Sequence, residues 1–373
     1  MGFRDSLFKK KDKAETGGSA SGRQGATDMR PACGSVPFYA SLEVSPSEDL
    51  VCCVTPEGAV AAYEPGTDRP SWLLSQRAAA LCCCRFVGID RLLVMSEGPR
   101  GSTTAPGVLL VDTNDGRLVA KTTASTTVYS ADSDPRTGLY VGGGVFDIIT
   151  IRAAGDRLEM SVFKSHQVDL PGPKIGPDGK HYFISAWRLH RIDGDKATVV
   201  MDATHCIYPE PPGKIYCGGG YHDRSGASAL NILDLETGST SALPWGREPV
   251  SQIFPGGDGH LLIDSETDIW GKYPSGVTRF CLADKSKKWS LTISGLPQMR
   301  PVILETAPAE GWGLIQTRAA LNMIALEDGK TLRSLPRESQ HFATAKWLPS
   351  RRLLYIAGNP FKERAGMLEC YRL

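Results

Sequence analysis

Apolar residues in this chain come in short runs, each closed by a turn of Gly, Pro, Asp or Thr, and the unit recurs from end to end. Asn231 to Leu243, NILDLETGSTSAL, shows it clearly. Leu230 and Ile232 alternate with Asn231 and Leu233, and such a mostly apolar run of strand length fits a sheet buried on both faces. Leu235-Glu236-Thr237-Gly238 then makes a reverse turn whose glycine takes positive φ at no steric cost. Related turns follow apolar runs at 60–74, 108–122, 148–162, 189–201, 278–293 and 322–335. Successive copies lie roughly 39 to 50 residues apart, the period of one four-stranded propeller blade.

Upstream of each such turn, an apolar segment enters a Pro/Gly/Asp turn and leaves as a second apolar segment. LEVSPSEDLVCCV (42–54), KIGPDGKHYFIS (174–185) and AKWLPSRRLLYIAG (345–358) are examples. These read as the two inner strands of a blade, and the glycine turns as the link between the two outer ones. Inner pairs begin near residues 38, 80, 127, 169, 205, 250, 301 and 341. The pattern predicts an all-β propeller of eight blades, each of four antiparallel strands, or of seven if the unit at 167–203 is irregular. The last unit has only one strand after Gly358, at 367–373. An N-terminal strand at 31–37 completing that blade would close the ring and remove two sheet edges.

Residues 1–30 break the pattern. They are polar and rich in Gly, Ser and charge, and read as a disordered basic tail ahead of a single domain at 31–373. Phe3, Leu7 and Phe8 beside Lys9, Lys10 and Lys11 offer a short amphipathic stretch suited to a partner or an anionic membrane. The opening also fits the loose Met-Gly-x-x-x-Ser form of a myristoylation signal, although bulky Phe3 after the glycine is unfavourable. No apolar core of a secretory signal and no run of membrane-span length follows, so a cytoplasmic location is expected. With a formal net charge of +1, the composition calls for no nucleic-acid partner.

The ten cysteines agree with a reducing compartment. Cys52-Cys53 and Cys82-Cys83-Cys84 sit inside apolar runs, where neighbouring side chains point to opposite faces, and no CxxC occurs. They read as buried, reduced, small hydrophobes.

Chemistry has fewer signals. Links between second and third strands are long and polar at 96–107, 218–229, 264–276 and 358–366, whereas the other turns are short. Long loops on a rigid scaffold are where binding resides. These carry Tyr221, His222, Asp223, Arg224, Asp264, Glu266, Asp268, Trp270, Tyr273 and Phe361, mixed charge with aromatics that suits a protein partner. Asp264, Glu266 and Asp268 alternate as calcium ligands can, but lack the glycine and terminal Glu of an EF-hand loop, so no metal is assigned. The glycine runs in LYVGGGVFD (139–147) and IYCGGGYHD (215–223) precede no helix and are not phosphate loops; close backbone packing is the expected use. Neither a nucleophile elbow nor a triad order is present, so neither catalysis nor a cofactor is expected.

The turn pattern resembles the quinoprotein-like repeat, which ends in Asp-x-x-Thr-Gly followed shortly by an aromatic. LDLETG (233–238) matches well, VDTNDG (111–116) and ALEDG (325–329) loosely, and Trp72 and Trp289 stand at the aromatic position. The period is also similar to that of WD-repeat and YVTN-type propellers, without their signature dipeptides. The resemblance implies a propeller, and its shorter members imply an assembly scaffold. A monomeric, non-enzymatic, protein-binding propeller is therefore the expectation. The alternatives are a small-ligand-binding or quinoprotein-like enzyme using the central channel, and a structural component tethered by its basic tail.

Overall fold

The computed structural model describes residues 29–38, 40–75, 80–96, 106–125, 127–128, 130–144, 147–164, 172–194, 196–219, 229–246, 248–265, 275–293, 302–317, 319–336, 342–358 and 366–373. Among these, the strands form eight antiparallel sheets, and seven of them take their four strands consecutively from the chain. Innermost strands of successive blades are neighbours all the way round. That of the eighth blade, Phe342–Leu348, meets that of the first, Ala40–Val44. The ring is thus an eight-bladed propeller, and the seven-bladed alternative falls away.

The eighth sheet draws on both ends of the chain. Arg30–Pro31 and Val36–Phe38 lie along the final strand, Gly366–Arg372, pairing Arg30 with Arg372 and Val36 with Leu368. Between the two pieces the Ala32 N–H donates to the Cys370 carbonyl at 2.8 Å. The predicted closure is therefore present, as one outer strand broken at 32–35. It begins slightly earlier than composition suggests: Arg30 is already paired, and Met29 is buried with Leu304, Trp312 and Tyr371 between the seventh and eighth blades. A methionine beside charged neighbours gives no periodic signal that would separate it from a tail.

The core is a set of seams between blades. One cluster joins Cys52, Val54 and Val60 of the first blade to Phe86, Leu92 and Val111 of the second, and similar clusters fill the other seams. The middle strands Val51–Val54 and Val60–Tyr63 are buried along their whole length, whereas the outermost strand Pro70–Leu74 is largely exposed. This is why their sequences read as unbroken apolar runs. Adjacent cysteines serve different seams. Cys53 packs with Val36, Leu348 and Tyr355 between the eighth and first blades, while Cys52 faces the second.

The unit at 167–203 forms a complete fourth blade, but its innermost strand is only Lys174–Ile175. Pro173 and Pro177 flank that strand and have no N–H to give to a ladder. Among the described residues, the buried cluster of the seam it shares with the third blade is Val141, Ile148, Phe183 and Ile192. A weak repeat in sequence is a thin interface in structure.

Two tryptophans clamp successive blades. Trp72, on the outermost strand of the first blade, donates its indole N–H to the Thr113 carbonyl in a turn of the second, at 2.8 Å. Trp289 does the same from the sixth blade to Leu326 of the seventh, at 2.9 Å. The aromatic position noted in the sequence is therefore an inter-blade fastening.

Candidate interaction face

Strand order assigns every turn to one of two faces. Links between first and second strands, and between third and fourth, share one face. Links between second and third strands share the other with the connectors between blades. The broken closing strand runs antiparallel to Gly366–Arg372. Arg30 and Leu373 therefore both lie on the short-turn face, opposite the four long links.

Of the residues singled out on those links, Tyr221, His222, Asp223, Arg224, Glu266, Asp268, Trp270, Tyr273 and Phe361 lie outside the described residues. Asp264 is described, and it requires a correction. It belongs to the strand His260–Ser265, is only 3% exposed, and its Oδ2 accepts a hydrogen bond from the Val302 N–H of the next blade at 3.4 Å. The alternation of a strand turns this side chain into a seam instead of toward a loop surface. No group of three or more His, Cys, Asp or Glu among the described residues could hold a metal ion.

The glycine runs do what close packing demands. A Cβ on Gly219 would lie 1.9 Å from the Ala203 carbonyl, and one on Gly218 would lie 2.5 Å from both Cys206 Sγ and Val250 Cγ1. What approaches these glycines is the protein's own backbone and the next blade.

A residue on the long-link face that pattern reading missed is Trp187. In the fourth blade the second-to-third link is only Ala186-Trp187, joining His181–Ser185 to Arg188–Asp193. Both residues have positive φ, 50° and 63°. A two-residue hairpin of that shape calls for Asn-Gly, and two side-chain-bearing residues there cost roughly 1–2 kcal/mol each. The strain holds the indole 39% exposed to solvent. It stacks on His205 from the following connector, with ring centroids 5.3 Å apart and planes at 25°. The Thr204 N–H donates to the Trp187 carbonyl at 2.8 Å, and Arg188 pairs with Asp202 at 3.0 Å across the same edge. The available signal was the absence of Asn, Gly or Asp from a turn that the flanking strands require.

The innermost strands carry polar groups engaged across seams. Arg85 bonds Glu43 at 2.7 Å and Ser41 at 2.8 Å. Asp132 accepts from the Ile175 N–H at 2.9 Å, and Glu305 from the Trp347 N–H at 3.3 Å. Burial raises the Glu305 carboxyl above its ordinary range, against the opposing pull of Lys346. These pairings run from one blade to the next and act as ties between them. No helix among the described residues is long and apolar enough to cross a membrane.

No family model matches the sequence, and no curated protein matches it. Solved structures do match over nearly the whole chain. The β-propeller domain of Myceliophteria thermophila Cps50 (Swd1) is 13% identical with a TM-score of 0.54, covering 92% of this chain and 99% of its own. The C-terminal WD40 domain of Sif2 is 8% identical with a TM-score of 0.67, covering 93% and 98%. The computationally designed Ika8 protein is 9% identical with a TM-score of 0.65, covering 92% and 99%. At such identities the likeness is one of fold: the chain is a β-propeller resembling WD40 domains.

Proposed function

We propose that this chain is a non-enzymatic, protein-binding scaffold that takes its partner on the long-link face. The observation that carries the reading is the Ala186-Trp187 turn. It spends local strain to hold an aromatic side chain in solvent, on the face where the long links are also anchored. Strained backbone clusters at ligand clamps, and tryptophan anchors contribute disproportionately to interfaces. The fold supports the same reading, since a closed ring of rigid blades is a platform for loops. The pairing of innermost-strand charges across seams weighs against a ligand held by those charges in the channel.

Arg30, close to the first described residue, lies on the opposite face near Leu373. A tether through Phe3, Leu7, Phe8 and Lys9–Lys11 would therefore leave the binding face free. A monomer acting in the cytoplasm fits this arrangement.

The test is quantitative binding to a partner first identified by cross-linking and then purified. Trp187→Ala, Trp270→Ala and Tyr221→Ala should each weaken affinity by about 1–3 kcal/mol at an unchanged melting temperature. Unchanged affinity in all three would overturn the assignment of this face. Loss of a small-molecule turnover in the same variants would favour the enzyme instead.

A further inference from the structure

The closing seam of the ring brings two thiols from opposite ends of the chain into one cluster. Cys33 lies in the break between the two pieces of the closing strand, and Cys370 lies on the strand they pair with. Their side chains belong to the same apolar cluster. Ala32 is tied to Cys370 through the backbone at 2.8 Å, which holds the segment in place. Both cysteines pack with Phe38, Tyr355 and Leu368 in the seam between the eighth and first blades.

Access to the pair is one-sided. Cys33 is half-buried and forms part of the wall of an open pocket with Glu64, Thr67, Asp68, Arg69 and Ser71 of the first blade. Cys370 is buried behind it and packs in one cluster with Tyr355, which carries a hydroxyl. That hydroxyl accepts from the Gly66 N–H at 2.7 Å. The other cysteines, apart from Cys82, are buried.

We propose that Cys33 and Cys370 form a redox latch on the ring closure, open as dithiol and shut as disulfide, with hydrogen peroxide as oxidant. The Cys33 thiolate attacks one peroxide oxygen, the O–O bond breaks and water leaves, so Cys33 becomes a sulfenic acid. The Cys370 sulfur then attacks Cys33, the S–O bond breaks, and a second water leaves with the thiol proton. Two thiols lose two electrons, and the peroxide is reduced to two waters. Burial raises both thiols above the ordinary range, Cys370 to about 12, so the thiolate fraction is small and latching is slow at neutral pH. Such a pair remains a dithiol in a reducing compartment and closes under sustained oxidant.

The consequence lies in topology. Every other blade is a continuous stretch of chain, whereas the eighth is held together by non-covalent pairing of the two ends. A bond from 33 to 370 would convert that pairing into a covalent loop of roughly 340 residues, the long-loop limit in which a cross-link most restricts the unfolded chain.

The experiment treats the full-length protein with hydrogen peroxide at pH 7 and pH 8.5, quenches it, then denatures and alkylates it. Two fewer alkylated thiols, a peptide joining residue 33 to residue 370, and faster non-reducing migration are expected. The melting temperature should rise by roughly 5 °C or more and fall back on addition of a dithiol reductant. Cys33→Ser should match the reduced wild type in melting and lose the peroxide-induced rise; Cys370→Ser should lose it as well. The proposal is overturned if all ten thiols remain alkylatable in peroxide-treated, folded protein, if a different pair is joined, or if the 33–370 bond forms with no gain in melting temperature.

Discussion

Trp72 lies against Gly116 across the seam between the first and second blades, so closely that a Cβ on that glycine would sit 2.9 Å from the indole. The tryptophan that donates to Thr113 thus requires a glycine three residues further on, in the partner blade's turn. Trp289 repeats the relationship with Gly329, where the Cβ would come within 3.0 Å.

This makes the two glycines testable against a control. Gly116, Gly329 and Gly238 all have positive φ, at 73°, 72° and 66°, but nothing lies within 4 Å of a Cβ on Gly238. Gly238→Ala should therefore cost only the backbone penalty, about 1 kcal/mol. Gly116→Ala and Gly329→Ala should cost about 2–4 kcal/mol, because the ring must also move. Chemical denaturation of the three variants reads the difference, and equal costs would mean that the tryptophans yield freely.

Closure should dominate stability at the ends of the chain. Removing residues 29–38 exposes a sheet edge and opens the seam that holds Phe38, Leu368 and Tyr355. The domain should then lose cooperative melting or drop in melting temperature by roughly 10 °C or more. Removing 1–28 should leave melting unchanged within about 1 °C, which differential scanning calorimetry resolves.

The turn at Ala186-Trp187 should show a trade between stability and binding. Replacing it with Asn-Gly supplies the residues that positive φ favours, so the double variant should gain about 1–2 kcal/mol. It should bind the partner less well, since the indole is gone. A gain in stability with undiminished binding would mean that the strain serves no contact.

Acid should weaken the fourth blade. Burial lowers His181 and His190 below the ordinary imidazole value, so each resists protonation when folded. The unfolded chain binds the proton first, near pH 6.5. Stability is therefore fully present above that value and is lost as pH falls toward the depressed folded values. His181 Nε2 is buried with no hydrogen bond in the structure. His181→Phe should flatten the loss between pH 7 and 5 in urea titrations, with little cost at pH 7.

The propeller was legible because its seams are apolar and periodic. Strands such as Val51–Val54 and Arg91–Ser96 must be buried on both faces along nearly all their length, and that leaves unbroken hydrophobic runs between turn residues. Even the fourth blade was countable, since Tyr182, Phe183 and Ile184 are fully buried although the strand inside them is short. The face was harder. Asp264 read as part of a loop because nothing in the sequence marks where the strand stops, and burial at the seam reversed its meaning. Trp187 was passed over because an aromatic in an apolar stretch reads as core, while the strain that exposes it is a property of the turn. Cys33 and Cys370 stand at opposite ends of the sequence, and only ring closure makes them neighbours.

The closing strand also decides how the ring responds to force. Arg30 and Arg372 are opposite each other in an antiparallel pair, so a pull applied between the two ends loads their hydrogen bonds one after another. An unzipping geometry of this kind resists tension far less than one in which all the bonds are sheared together. Tension on the two ends would peel the eighth blade first, beginning at Arg30 and reaching the break at Cys33 within a few residues.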